Sequence, residues 1–153
     1  MTSIITQSLF AATMLFSSDF VVGQTDQFIG SWTKEGTTYQ FDFILILNHV
    51  GDGQVEGQFR WTVAKPDEKA PQSVLWYQHK IGLQATEFVK GRYNDNTKEL
   101  FIEGYRKDDP HMIIALDEYR LKVIGDHTLQ GTSKAHGTWE GIIDGTRSVD
   151  NAL

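Results

Sequence analysis

The chain holds 153 residues, enough for one domain whose core needs no covalent staple. Its formal charge of −6 and the lack of any Lys/Arg run argue against a nucleic-acid partner, since an acidic surface repels phosphate. With no cysteine, disulfides, thiolate nucleophiles, iron–sulfur sites and Cys-type zinc sites are excluded.

Residues 1–23 differ from all that follows. They contain no Lys, Arg or Glu, and Asp19 is their one charged side chain. A short apolar run over residues 9–16 precedes Val21-Val22-Gly23, small residues of the kind a signal peptidase reads, with Gln24 as the new N-terminus. The segment resembles a secretory signal peptide, although it lacks a basic start and Thr13 interrupts its apolar run. The expectation is a secreted or periplasmic protein. The alternative is a packed helix over one barrel mouth, because Ile5, Leu9, Ala12, Phe16 and Phe20 fall at helical spacing. The run is far below the roughly 20 residues that a bilayer-spanning helix needs, so no membrane anchor is expected.

From Gly30 onward, segments of period 2 alternate with turn residues. Tyr39, Phe41, Phe43, Leu45 and Leu47 share one face, and residues 48–53 form a turn. Val55, Gly57, Phe59, Trp61 and Val63 alternate with Glu56, Gln58, Arg60 and Thr62, which describes a strand with one dry and one wet face. A polar loop over residues 65–73 carries Pro66 and Pro71. Strands are then expected over residues 74–83, 85–93, 100–106, 113–123, 129–135 and 138–143. Turns stand at 94–97, 107–111, 125–127 and 136–137. About eight strands on short sequential loops predict an all-β, antiparallel, up-and-down eight-stranded barrel over residues 24–147, with a tail at 148–153. Ile44 and Ile46 make residues 43–47 apolar on both faces. Either another part of the chain covers them, or they form a homo-oligomer interface.

Gly30-Ser31-Trp32 at the first strand resembles the Gly-x-Trp feature of calycin barrels, the group of lipocalins, fatty-acid-binding proteins and avidins. Residues 30–37, with Val55-Glu56-Gly57-Gln58-Phe59 further on, are most similar to the first two strands of avidins. Trp61, Trp76 and Trp139 add to that likeness. The resemblance implies that Trp32 plugs the closed end of a barrel and that a basic residue of the last strand, Arg147, stacks on it. An avidin-type biotin site asks for Asn where Lys34 stands, so the resemblance carries the fold and not that ligand.

Charged residues on predicted inner faces are the informative exceptions. With residues 94–97 as the whole loop, Tyr93 faces Lys98, Gly91 faces Leu100, Val89 faces Ile102 and Glu87 faces Gly104. Glu87 then points inward, Arg106 lies diagonal to it, and Tyr105 reaches the interior only if a bulge intervenes. Asp117 shares its face with Ile113, Ala115, Tyr119 and Leu121. A buried unpaired carboxylate costs several kcal/mol or more, so each needs a partner. Two arrangements satisfy this. In one, Glu87, Arg106, Asp117 and Tyr119 orient a small-molecule ligand in a cavity lined by Phe59, Trp61, Trp76 and Tyr105. In the other, Glu87 and Arg106 form a salt bridge in a filled core, and Asp117 bonds Tyr119 or a backbone amide.

The histidines, His49, His79, His111, His127 and His136, fall mostly in turns at no metal-ligand spacing, so neither a metal nor another cofactor is expected. A haem-type ligand would have to be His79. No hydrolase elbow, P-loop or dinucleotide fingerprint occurs, and Glu87 with Asp117 is the one acid pair that acid–base chemistry could use. The expected function is non-catalytic binding of a small hydrophobic or amphipathic molecule. The alternatives are a filled, self-assembling extracellular barrel and a small barrel-type isomerase or cyclase.

Overall fold

The computed structural model describes residues 23–69 and 79–148. Eight antiparallel strands follow in chain order: β1 (Thr25–Lys34), β2 (Gln40–Gly51), β3 (Gln54–Lys65), β4 (Gln84–Asn94), β5 (Glu99–Asp108), β6 (Glu118–Ile124), β7 (Thr128–Ala135) and β8 (Thr138–Arg147). Each pairs with the next, and β1 closes on β8 from Phe28↔Arg147 to Lys34↔Gly141. This is the up-and-down barrel that the alternating pattern predicts. The expected signal segment lies outside the described residues save for Gly23, and so does the tail beyond Ser148.

The hairpins form where the sequence offers residues that tolerate positive φ. Asp52 (φ 52°) and Gly53 (φ 72°) link β2 to β3, and His136 (φ 54°) and Gly137 (φ 102°) link β7 to β8. Two-residue loops of this kind match the twist of the flanking strands.

Alternation places Phe28, Leu45, Leu47, Val55, Phe59, Val89, Leu100 and Leu129 in a dry interior that fills one end of the barrel. The same end buries an ionic cluster. Asp26 Oδ2 lies 2.9 Å from His49 Nε2, and Arg147 pairs with the other Asp26 oxygen. Arg147 also stacks 4.9 Å over the Phe28 ring and donates to the Asp126 carbonyl at 2.8 Å. It therefore seals the filled end against Phe28 and does not stack on Trp32, which lies four residues further along β1.

Four expectations are corrected. The segment over residues 79–83 is not strand. Gly82 takes φ 86°, and its amide bonds back to the Val63 carbonyl at 2.8 Å, so the chain folds onto the end of β3. Residues 74–78 of that expected strand, Trp76 among them, lie outside the described residues.

β6 starts at Glu118 rather than 113 because the Asp109 carboxylate captures the Ile113 and Ile114 amides at 2.8 and 3.0 Å. A side chain that offers the backbone such a partner competes with the sheet ladder. Burial raises the pKa of Asp109, and those two amides with Lys107 outweigh it, so the carboxyl stays below its ordinary value.

The β4–β5 loop is residues 95–98, because Asn94 pairs with Glu99, and this moves the pairing two residues from the expected one. A bulge then sets Phe88 opposite Arg106 and Val89 opposite Gly104. Tyr105, the extra residue, is 47% exposed under Lys90, and Arg106 stacks 4.0 Å over Phe88 on the outside. Neither residue enters the barrel, and no Glu87–Arg106 salt bridge forms.

Ile44 and Ile46 do face outward, opposite Arg60 and Gln58, with Ile44 36% exposed beside Ile29.

Candidate functional site

The other end of the barrel is hollow. A cavity of about 430 Å³ opens where the β1–β2, β3–β4, β5–β6 and β7–β8 connections meet. Inward positions near the strand ends supply its lining: Trp32 on β1, Phe41 on β2, Trp61 on β3, Glu87 on β4, Tyr119 on β6 and Ser133 on β7. The segment over residues 109–117, held by Asp109, adds Ile113, Ile114, Ala115 and Asp117. Trp32 thus lines the open end and does not plug the closed one.

The aromatic walls are coupled. Trp32 meets Phe41 edge-on at 5.6 Å, and Phe41 meets Trp61 at 6.1 Å. Phe59 lies behind them and supports the site from below, stacked on Trp61 at 4.6 Å and tilted against Tyr119 at 4.8 Å.

Glu87 organises the floor. Its Oε2 accepts from Tyr119 Oη at 2.5 Å and Trp61 Nε1 at 3.1 Å, and its Oε1 accepts from the Asp117 amide at 3.0 Å. A Cβ at Gly104 would stand 2.0 Å from Oε1, so only glycine at that position leaves room for this carboxylate. Burial pushes the Glu87 carboxyl up to about 7, against the three hydrogen bonds and with help from the Asp117 charge. Burial likewise raises the Tyr119 phenol well above its ordinary value, and the carboxylates of Glu87 and Asp117 add to it.

A second chain runs alongside. Trp32 Nε1 donates to Ser133 Oγ at 2.8 Å, and Ser133 donates to Asp117 Oδ2 at 2.8 Å. Gly141 makes this possible, because a Cβ there would fall within 2.2 Å of both Ser133 Oγ and Trp32 Nε1. Burial raises the Asp117 pKa, and the Ser133 hydrogen bond and nearby His136 oppose the rise.

Of the residues expected at a site, Trp61, Glu87, Asp117 and Tyr119 converge on the cavity, and Phe59 packs beneath them. The structure adds Ser133, Trp32, Tyr39 and Phe41. Ser133 was recoverable from parity, because it shares the inward face of β7 with Leu129 and Gly131. Among the described residues, no group of three or more His, Asp or Glu side chains is placed to hold a metal ion. His79 lies exposed in the turn before Gly82. Comparison of the chain with protein-family models, with curated proteins and with solved structures finds no match.

Proposed function

We propose that this protein binds one small hydrophobic or amphipathic molecule in the open end of its barrel and does not transform it. The observation that carries the reading is a cavity of about 430 Å³ with aromatic walls and a floor whose polar groups are already fixed to one another. Ligand sites combine apolar surface with a few placed polar groups in volumes of roughly 300–1,000 Å³. The filled half of the barrel supplies rigidity, so the walls are organised before the ligand arrives.

The titration of Glu87 favours acid–base chemistry as a second reading, since a carboxyl pushed up to about 7 matches a general base. Its position favours binding. Glu87 is 0% exposed, and three donors hold its two oxygens.

N-phenyl-1-naphthylamine, which brightens in apolar surroundings, provides the test. It is expected to saturate a single site on the wild-type chain. Ala115→Trp, which fills the cavity from a half-buried loop position, should abolish the signal while leaving the far-ultraviolet circular dichroism unchanged. Equal binding by a folded A115W variant would place the probe elsewhere and end the proposal.

A further inference from the structure

The hydrogen-bonding character of the cavity is one-sided. Trp61 Nε1, Tyr119 Oη and the Asp117 amide all point onto Glu87, while Trp32 Nε1 and Ser133 Oγ form the chain that ends on Asp117 Oδ2. These floor donors are committed to carboxylates of the same molecule. What the floor offers a guest is an acceptor: Asp117 Oδ1, on a half-buried side chain that lines the cavity and bonds through its other oxygen. The rim repeats that sign. Among the described residues that line it, Asp67 and Glu140 stand there against one ammonium, Lys34 Nζ, which lies 3.9 Å from Glu140 Oε1. Among the described residues, His136, exposed in the β7–β8 turn, acts on Asp117 from outside the cavity, and Lys107, bonded to the Ile114 carbonyl at 2.7 Å, is paired with Asp109. Above the acceptor stand the aromatic walls already described, whose ring faces attract positive charge.

Three ligand classes meet this surface differently. An anion would face like charge at the floor and the rim. A neutral hydrophobe would strip water from Asp117 and return no hydrogen bond. An organic cation gains a charge-assisted bond to Oδ1 and the field of the rings together. We infer that the cavity, on the reading of it as a binding site, takes a small organic cation: a primary or secondary ammonium on an apolar body, its N–H donated to Asp117 Oδ1 and its body against the aromatic wall.

Three probes of nearly one shape separate the classes: phenethylammonium, 2-phenylethanol and phenylacetate. They are titrated into the full chain by calorimetry at low salt and about pH 8, above the value to which burial pushes Glu87 and below that of an alkylammonium. The ammonium should bind at least about 10-fold more tightly than the alcohol, with phenylacetate weakest of the three. Asp117→Asn should bring the affinity for the ammonium down to that for the alcohol. If the alcohol or phenylacetate binds as tightly as the ammonium, and A115W abolishes that binding, the cavity is a ligand site but the cation assignment is overturned. If none of the three binds, both readings fall together.

Discussion

Replacing Glu87 by leucine is expected to remove about 3–5 kcal/mol of folding free energy, a large share of the roughly 5–15 kcal/mol that holds a domain together. The cost is not the loss of a charge. Glu87 is the common acceptor for Trp61 Nε1, Tyr119 Oη and the Asp117 amide, and leucine orphans all three at once. Each unsatisfied buried donor costs about 1–3 kcal/mol, and water entering the cavity offsets part of the sum. Glu87→Gln keeps one oxygen for Trp61 and Tyr119 but turns an amide N–H₂ toward the Asp117 N–H, so about 1–2 kcal/mol is expected for that change. Urea unfolding followed by circular dichroism at about pH 5, where the wild-type Glu87 carboxyl keeps its proton, reads both variants. A loss below about 1 kcal/mol for the leucine variant would show that Glu87 is not the shared acceptor.

Stability is also expected to fall as pH rises from about 4.5 to 8, by about 3 kcal/mol from Glu87 alone. The folded chain holds the Glu87 carboxyl up at about 7, against an ordinary value of 4.5, so the folded state binds the proton more tightly than the unfolded state does. Stability from that proton is fully present below the unfolded value and is lost as pH passes through the folded one. Asp117, also raised by burial, works in the same direction, and Asp109, lowered by its amide partners, works in the opposite one at acid pH. The difference between the wild-type curve and the Glu87→Gln curve isolates the Glu87 part. The two curves should close and then cross as pH rises, leaving the variant the more stable at about pH 8, because the wild type loses more than the gap that separates them at acid pH and the variant has no proton to lose at this position. Parallel curves across that range would contradict the proposed ionisation.

Much of the barrel was legible because period-2 alternation is a strong signal when one face is dry. Phe59, Trp61 and Val63 all point inward, and Asp52-Gly53 and His136-Gly137 turn as their residue types demand. The failures have a shared physical origin in register and local competition. The face of Tyr105 and Arg106 depends on a loop length and a bulge that no residue type announces, and both side chains lie outside. The start of β6 depends on where the Asp109 carboxylate reaches, which is a three-dimensional fact.

Of the site, inward parity found Glu87, Asp117 and Tyr119 but not how they are satisfied. The expected salt bridge is replaced by three neutral donors. The Asp26–His49–Arg147 cluster escaped because His49 reads as a turn residue, yet it lies within β2, near its end, on the inward face and is buried. The expected filled and hollow barrels both occur, one at each end of the molecule.

The indole N–H resonances give the most direct view of whether guests enter the hollow end. Trp32 and Trp61 line the cavity, whereas Trp139 lies against Arg120 and Lys134 at 4.2 and 4.9 Å, outside it. On titration with phenethylammonium, and separately with 2-phenylethanol, the Trp32 and Trp61 signals should shift to saturation together while that of Trp139 stays in place. Movement of Trp139 alone, or of none of the three, would contradict a binding site inside this barrel.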